Sequence, residues 1–147
     1  MDWDHQIYFE DVSTNSIIKP ISIPITLQRL VMEAGSNRDF SLMHHDNEVA
    51  KITGAPSAFA NTFFIMGMFE RLIREWMGLK GSLKKIKSLR MTNFNCPGSV
   101  VTISGTIMEL LEEQSAVVIK LRMSNEEITT VTAEVTVILP RKSSSPE

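Results

Sequence analysis

Between Thr26 and Gly81 the apolar positions of this chain recur mostly at intervals of three and four; from Ser82 onward they alternate with polar ones. The first spacing predicts helices and the second predicts strands. Ahead of both, Ile17 to Ile25 carries Ile-Ile and then alternating Ile21, Ile23 and Ile25. Pro20 and Pro24 within it have no N–H to give to a ladder, so it reads as an edge strand.

Thr26 is a natural N-cap for a helix from Leu27 to Ala34, in which Leu27, Leu30, Val31 and Ala34 share one face. Gly35 is the expected stop. A short helix over Asn47 to Thr53 ends at Gly54. Asn61 or Thr62 then caps a helix from Phe63 to Met77. Phe63, Phe64, Ile65, Met66, Met68 and Phe69 make its first half apolar on every side, which predicts burial all round. In the second half Leu72, Ile73 and Trp76 point inward while Glu70, Arg71, Arg74 and Glu75 meet water. Gly78 and Gly81 close it. Strands are expected over Leu83 to Phe94, Ser99 to Leu111, Ser115 to Met123 and Ile128 to Leu139. Pro97-Gly98, Glu112-Glu113-Gln114 and Ser124-Asn125-Glu126 are turns, and connections this short imply antiparallel neighbours. The class is α+β, with an antiparallel sheet curling around a long buried helix.

The 147 residues suit one domain, expected over 1–140, with the polar stretch 141–147 as a disordered tail. A formal net charge of -2 argues against a nucleic-acid partner. The basic run Lys80, Lys84, Lys85, Lys87 and Arg90 reads as a solvated strand face. Cys96 is the single cysteine and cannot form an internal disulfide, which fits a reducing, cytoplasmic setting. No signal peptide is evident, because Asp2 and Asp4 stand where an apolar region would be needed. No apolar run approaches the ~20 residues of a membrane helix.

Candidate chemistry sits in Arg38-Asp39-Phe40-Ser41-Leu42-Met43-His44-His45-Asp46. Asp39 and His44 lie five apart in a polar passage, and an acid beside an imidazole is the usual equipment for moving a proton to or from water. Taken alone, an acid and an imidazole at this spacing are more often ordinary loop residues than a catalytic pair. His45 reads as a neighbour, Asp46 as the cap of the Asn47 helix, and His5 as part of a mobile terminus without a role. Adjacent residues rarely point at one ion, so no metal is assigned to His44, His45 and Asp46.

The order of elements and the Asp–His passage resemble the MaoC-like acyl dehydratase and (R)-specific enoyl-CoA hydratase family of hot-dog proteins. The family pattern Asp-x-Asn-Pro-Ile/Leu-His-x-Asp, followed by Ala, Gly and Ala-His-Gly-Met-Leu, stands here as Asp39-Phe40-Ser41-Leu42-Met43-His44-His45-Asp46, Ala50, Gly54 and Ala60-Asn61-Thr62-Phe63-Phe64, without gaps from Asp39 to Thr62. The resemblance implies a hot-dog fold. It implies Asp39 and His44 as the pair that primes water for addition to a trans-2-enoyl thioester, and the Thr62 backbone N–H as the holder of the thioester carbonyl. Ser41, Asn61 and Phe63 are the implied substrate-binding neighbours, and no cofactor is needed. Acyl-CoA is the implied substrate, and a homodimer, or a heteromer with a related chain, the implied assembly. The family's Asn-Pro is Ser41-Leu42 here and its His-Gly is Asn61-Thr62. Those departures keep two other readings open: a hot-dog thioesterase with Glu70 as base, and a non-catalytic partner subunit.

Overall fold

The computed structural model describes residues 4–126 and 128–142. Five strands form one antiparallel sheet: β1 (Ile17–Pro24), β2 (Ser82–Met91), β3 (Val100–Leu111), β4 (Ala116–Asn125) and β5 (Ile128–Ile138). Their spatial order is β1-β3-β4-β5-β2, so β1 and β2 are the edges. Three helices, α1 (Leu27–Ser36), α2 (Asn47–Ile52) and α3 (Thr62–Met77), lie between β1 and β2 in sequence. The expected α+β class, the antiparallel pairing and the short connections are all present.

Alternation decides which face of the sheet meets α3. Val101, Ile103 and Ile107 of β3, Val117, Ile119 and Leu121 of β4, and Val131, Val135 and Val137 of β5 are at most 1% exposed. They pack with Phe64, Ile65, Phe69, Leu72, Ile73 and Met77 of α3 into one core. Burial of so many branched and aromatic side chains is the main favourable contribution to folding. β1 skips register between Ile18 and Ile21, where Pro20 has no N–H to offer.

Several boundaries differ from expectation. α1 runs through Gly35 to Ser36, and the turn past it is made by Arg38, whose φ is 61°. Asn37 takes over as the C-cap, its N–H reaching the carbonyls of Glu33 and Gly35. α3 is not buried all round: Phe63 is 60% exposed, and Thr62 and Gly67 also face out, because one sheet covers only one side of the helix. β2 stops at Met91 rather than Phe94, since the amides of Thr92 and Asn93 both turn to the Thr130 carbonyl. β2 also slips register on either side of Ile86, and Ser88 there has φ 54°. Its four basic residues, and Lys80 just ahead of it, are exposed, as expected.

The ends of the chain are tied down further than the sequence indicates. His5 Nε2 lies 2.8 Å from the Trp76 carbonyl, so it belongs to the end of α3 and not to a mobile terminus. Gly78, at φ 80°, closes α3 against this strand-like lead-in, paired with Gln6. Arg141 donates to Ser115 Oγ at 2.8 Å and to the Glu112 carbonyl at 2.6 Å, and Lys142 pairs with Asp11. The rest of the expected tail, 143–147, lies outside the described residues.

Candidate active site

The site starts on the inner stripe of α1. Leu30 and Ala34 are each 2% exposed, and Glu33 and Asn37 fall on the same stripe at helical spacing. Asn37 donates its side-chain amide to Glu33 Oε1. With Arg38 in the left-handed region, the chain reverses and brings the Asp39 N–H to the Ala34 carbonyl (2.9 Å) and to Asn37 Oδ1 (3.0 Å). Two acceptors on one amide leave the Asp39 backbone little freedom.

The Asp39 carboxylate is then divided between two tasks. Oδ1 accepts from the Ser41 N–H at 3.3 Å, a local turn typical of aspartate. Oδ2 accepts from Asn61 Nδ2 at 2.9 Å and lies 3.3 Å from His44 Nε2. His44 reaches this position because Ser41 begins a 3-10 turn, Leu42–His44, with the His44 N–H on the Ser41 carbonyl.

His44 is 8% exposed and its ring stands edge-on to Phe59, 5.1 Å between centroids. Its Nδ1 is 2.9 Å from the Phe59 carbonyl. A carbonyl only accepts, so Nδ1 keeps its hydrogen, and exchange of a proton is confined to Nε2, the nitrogen that faces Asp39. The Phe59 carbonyl is held in turn by its surroundings: the Phe59 ring packs on Phe94 at 4.7 Å, and the next amide, Ala60 N–H, bonds to the Asn95 carbonyl.

Asn61 joins this cluster to α3. Its Oδ1 accepts from the Phe64 N–H at 2.8 Å, the N-cap bond, while its Nδ2 serves Asp39. The Ile65 amide uses the Asn61 carbonyl. Thr62 and Phe63, the first two residues of α3, are left with N–H groups that no carbonyl or side chain among the described residues accepts. Free amides and the positive end of the helix dipole therefore adjoin Asn61. Phe63, Phe40 and Leu42 are 60%, 74% and 52% exposed, an apolar rim around the cluster.

The structure thus brings Asp39, His44 and Asn61 into contact, ties Ser41 to Asp39 through its backbone, and leaves the Phe63 ring in solvent. Asp46 caps α2 through the amides of Glu48 and Val49 and takes no part in the cluster. Glu33, Asn37 and Phe59 are members that the motif does not include. The signal for Glu33 and Asn37 was present: two polar residues on the apolar stripe Leu30–Ala34. Burial pushes the Glu33 carboxyl above its ordinary value; the bond from Asn37 opposes that, the charge of Asp39 adds to it, and His44 and Asn61 pull it back. A trough of about 860 Å³ lies elsewhere, on the outer face of the sheet beside Lys87, Arg90 and Lys120, and shares no residue with this cluster. Among the described residues no group of three or more His, Cys, Asp or Glu side chains is placed to hold a metal ion.

The R-hydratase PhaJ1 from Pseudomonas aeruginosa superposes with a TM-score of 0.83 at 17% identity, over 97% of this chain and 95% of that one. The (R)-hydratase from A. caviae involved in PHA biosynthesis gives 0.81 at 19% identity, over 89% and 99%. A chain of the ChsH1-ChsH2 complex from Mycobacterium tuberculosis gives 0.81 at 24% identity, over 86% and 98%. MaoC-like dehydratases are also among the similar structures. The chain has the hot-dog fold. At these identities the likeness shows the fold, and the chemistry has to be argued from the side chains. No protein-family model matches the sequence, and no curated protein matches it significantly. Among the described residues, no helix is long and apolar enough to cross a membrane.

Proposed function

We propose that this hot-dog chain hydrates a trans-2-enoyl-CoA to a 3-hydroxyacyl-CoA, or runs the reverse dehydration. The observation that carries the reading is the pair Asp39 Oδ2 and His44 Nε2, 3.3 Å apart, with His44 Nδ1 fixed on the Phe59 carbonyl. A water seated beside the pair, within reach of both Oδ2 and Nε2, donates one hydrogen to each. Nε2 takes the proton as the oxygen attacks the β-carbon, and the protonated pair returns a proton to the α-carbon. Water is consumed whole, as hydroxyl on one carbon and hydrogen on the next. Charge that builds on the thioester oxygen is met by the Thr62 N–H at the start of α3. Every step is a proton transfer or a contact with a fixed dipole, so the reaction as written calls for no cofactor.

In this reading Asn61 is a positioning residue for Asp39, the Ser41 hydroxyl borders the ligand, and Phe63 lies with Phe40 and Leu42 along the acyl path. The uncovered side of α3 and the free edge of β2 are where a second hot-dog chain would sit, whether a copy or a relative; the ChsH1-ChsH2 structure is a two-protein complex by name. A cytoplasmic setting accords with the single cysteine, Cys96, the net charge of -2 speaks against a nucleic-acid partner, and the proposed substrate calls for no membrane partner. Glu70, which a thioesterase reading needs as base, is surface-exposed and paired with Arg74 at 3.2 Å, so that reading is the weaker one.

The test supplies crotonyl-CoA and longer enoyl-CoAs to the purified chain and follows loss of the enoyl absorbance. Asp39→Asn and His44→Ala are expected to lower the rate by about 10²–10⁴-fold while leaving the fold intact. Release of free CoA by an otherwise inert protein would establish the thioesterase instead. Activity that arises only on adding a second hot-dog chain would make this chain the partner subunit.

A further inference from the structure

We propose that Glu33 is a further positioning residue of the site, one whose charge sets the pH range over which the Asp39–His44 pair accepts a proton from water. The proposal rests on the water-activating reading of that pair. Glu33 stands on the inner stripe of α1, where the neighbouring positions Leu30 and Ala34 are buried and apolar. A glutamate there forgoes part of its hydration, so its place calls for a reason beyond packing.

It shares a partner, Asn37, with Asp39. Asn37 donates to Glu33 Oε1 and accepts from the Asp39 N–H at 3.0 Å. Asn61 donates to Asp39 Oδ2 at 2.9 Å and is near enough to Glu33 to pull its carboxyl back toward the ordinary value. The Asn37 amide therefore ties the Glu33 carboxyl to the Asp39 backbone, and Asn61 ties the Asp39 carboxyl to the start of α3. Amides fix geometry but carry no charge, so they do not cancel the repulsion between Glu33 and Asp39.

The charged groups around Glu33 are few. Asp39, just past α1, and His44, in the 3-10 turn, are the ones that act on it, and the group facing it from α3 is the neutral Asn61. On α1 itself Arg29 is turned away to the Pro24 carbonyl, 3.0 Å. Burial and Asp39 both hold the Glu33 carboxyl above its ordinary value. When it ionises, its negative charge favours a proton on the neighbouring pair and strengthens that pair as a base. When it is protonated, that help is withdrawn.

The test has two independent arms on the full chain. In the first, the Glu33 side-chain carboxyl is titrated by carbon-13 NMR in the wild type, Asp39→Asn and His44→Ala. Its midpoint is expected to fall in Asp39→Asn, where repulsion is removed, and to rise in His44→Ala, where attraction is removed. A midpoint indifferent to both substitutions overturns the proposal. In the second, the pH profile of crotonyl-CoA hydration is compared for wild type, Glu33→Gln and Glu33→Asp. The acid limb is expected to move to lower pH in Glu33→Gln, with a lower plateau, and to stay near wild type in Glu33→Asp. A Glu33→Gln profile merely scaled down, with its shape unchanged, also overturns it. A protein inert toward enoyl-CoAs whose Glu33 midpoint still follows Asp39 and His44 sinks the hydratase reading while the coupled cluster stands.

Discussion

Asn61 and Asp39 are joined by a 2.9 Å bond from Nδ2 to Oδ2, and the same asparagine caps α3 with its other atom. One buried side chain, 4% exposed, thus fixes both the carboxylate and the start of the central helix. Asn61→Ala removes the cap and leaves Asp39 short of a donor, at a cost of roughly 2 kcal/mol in urea unfolding. Asn61→Asp keeps the cap but sets a third carboxyl against Asp39 and Glu33. It should therefore hold its stability in acid, lose it near neutrality, and hydrate enoyl-CoA poorly at either pH. Equal stability of the aspartate variant and wild type at neutral pH would contradict this.

Glu33 makes a separate, activity-independent prediction. Its carboxyl titrates above the ordinary value of 4.5 in the folded chain, chiefly through burial. The folded state then holds the proton more tightly than the unfolded one. That contribution to stability is complete below the ordinary value and is lost as pH rises through the folded midpoint. The stability of Glu33→Gln minus that of wild type should grow in the variant's favour between about pH 4 and pH 7. A difference that stays flat with pH would remove half-buried Glu33 from the cluster around Asp39.

The far end of the chain shows the opposite sign. Glu10 is held below its ordinary value first by the Lys142 backbone N–H, and Asp11 first by the Lys142 side chain. Their stabilising share is present above the ordinary carboxylate range and lost as pH falls through the lowered midpoints. A chain ending at Pro140 should lose that share, together with the Arg141 pairs to Glu10 and Glu112 at 3.5 and 3.1 Å. Its urea midpoint should fall at neutral pH and approach that of the full chain in acid. A truncated chain as stable as the whole at neutral pH would show that these contacts contribute nothing.

What the sequence conveys and what it hides follow from the range of the interactions concerned. Alternation and turn chemistry are local, so the strands, the antiparallel pairing and a cap of α3 at Asn61 or Thr62 can be read directly, and the structure puts it at Asn61. The Asp39–His44 spacing is local too, and the resemblance around it gave the fold. Glu33 is different: its partners Asp39 and Asn61 meet it only after Arg38 reverses the chain and α3 docks, so its membership depends on tertiary contact. α1 stops later than Gly35 suggests, because Asn37, bonded back to Glu33, supplies a better ending. Register slips in β2 are set by its partner β5, which is why its alternation fades and its end at Met91 is not visible in the pattern.

The one-sided burial of α3 yields the last prediction. Phe69 is 0% exposed against the sheet, whereas Phe63, at the start of the same helix, is 60% exposed. Phe69→Ala leaves a cavity that a close-packed core cannot fully refill, and should cost about 3–5 kcal/mol. Phe63→Ala in an isolated chain removes little buried surface and should cost no more than about 0.5 kcal/mol. The two variants are separated by urea unfolding at several protein concentrations. If Phe63→Ala is as costly as Phe69→Ala, and the loss shrinks on dilution, a second chain covers that face of α3. If the loss is as large but independent of concentration, the helix is buried within one chain after all, and the one-sided packing described above is wrong.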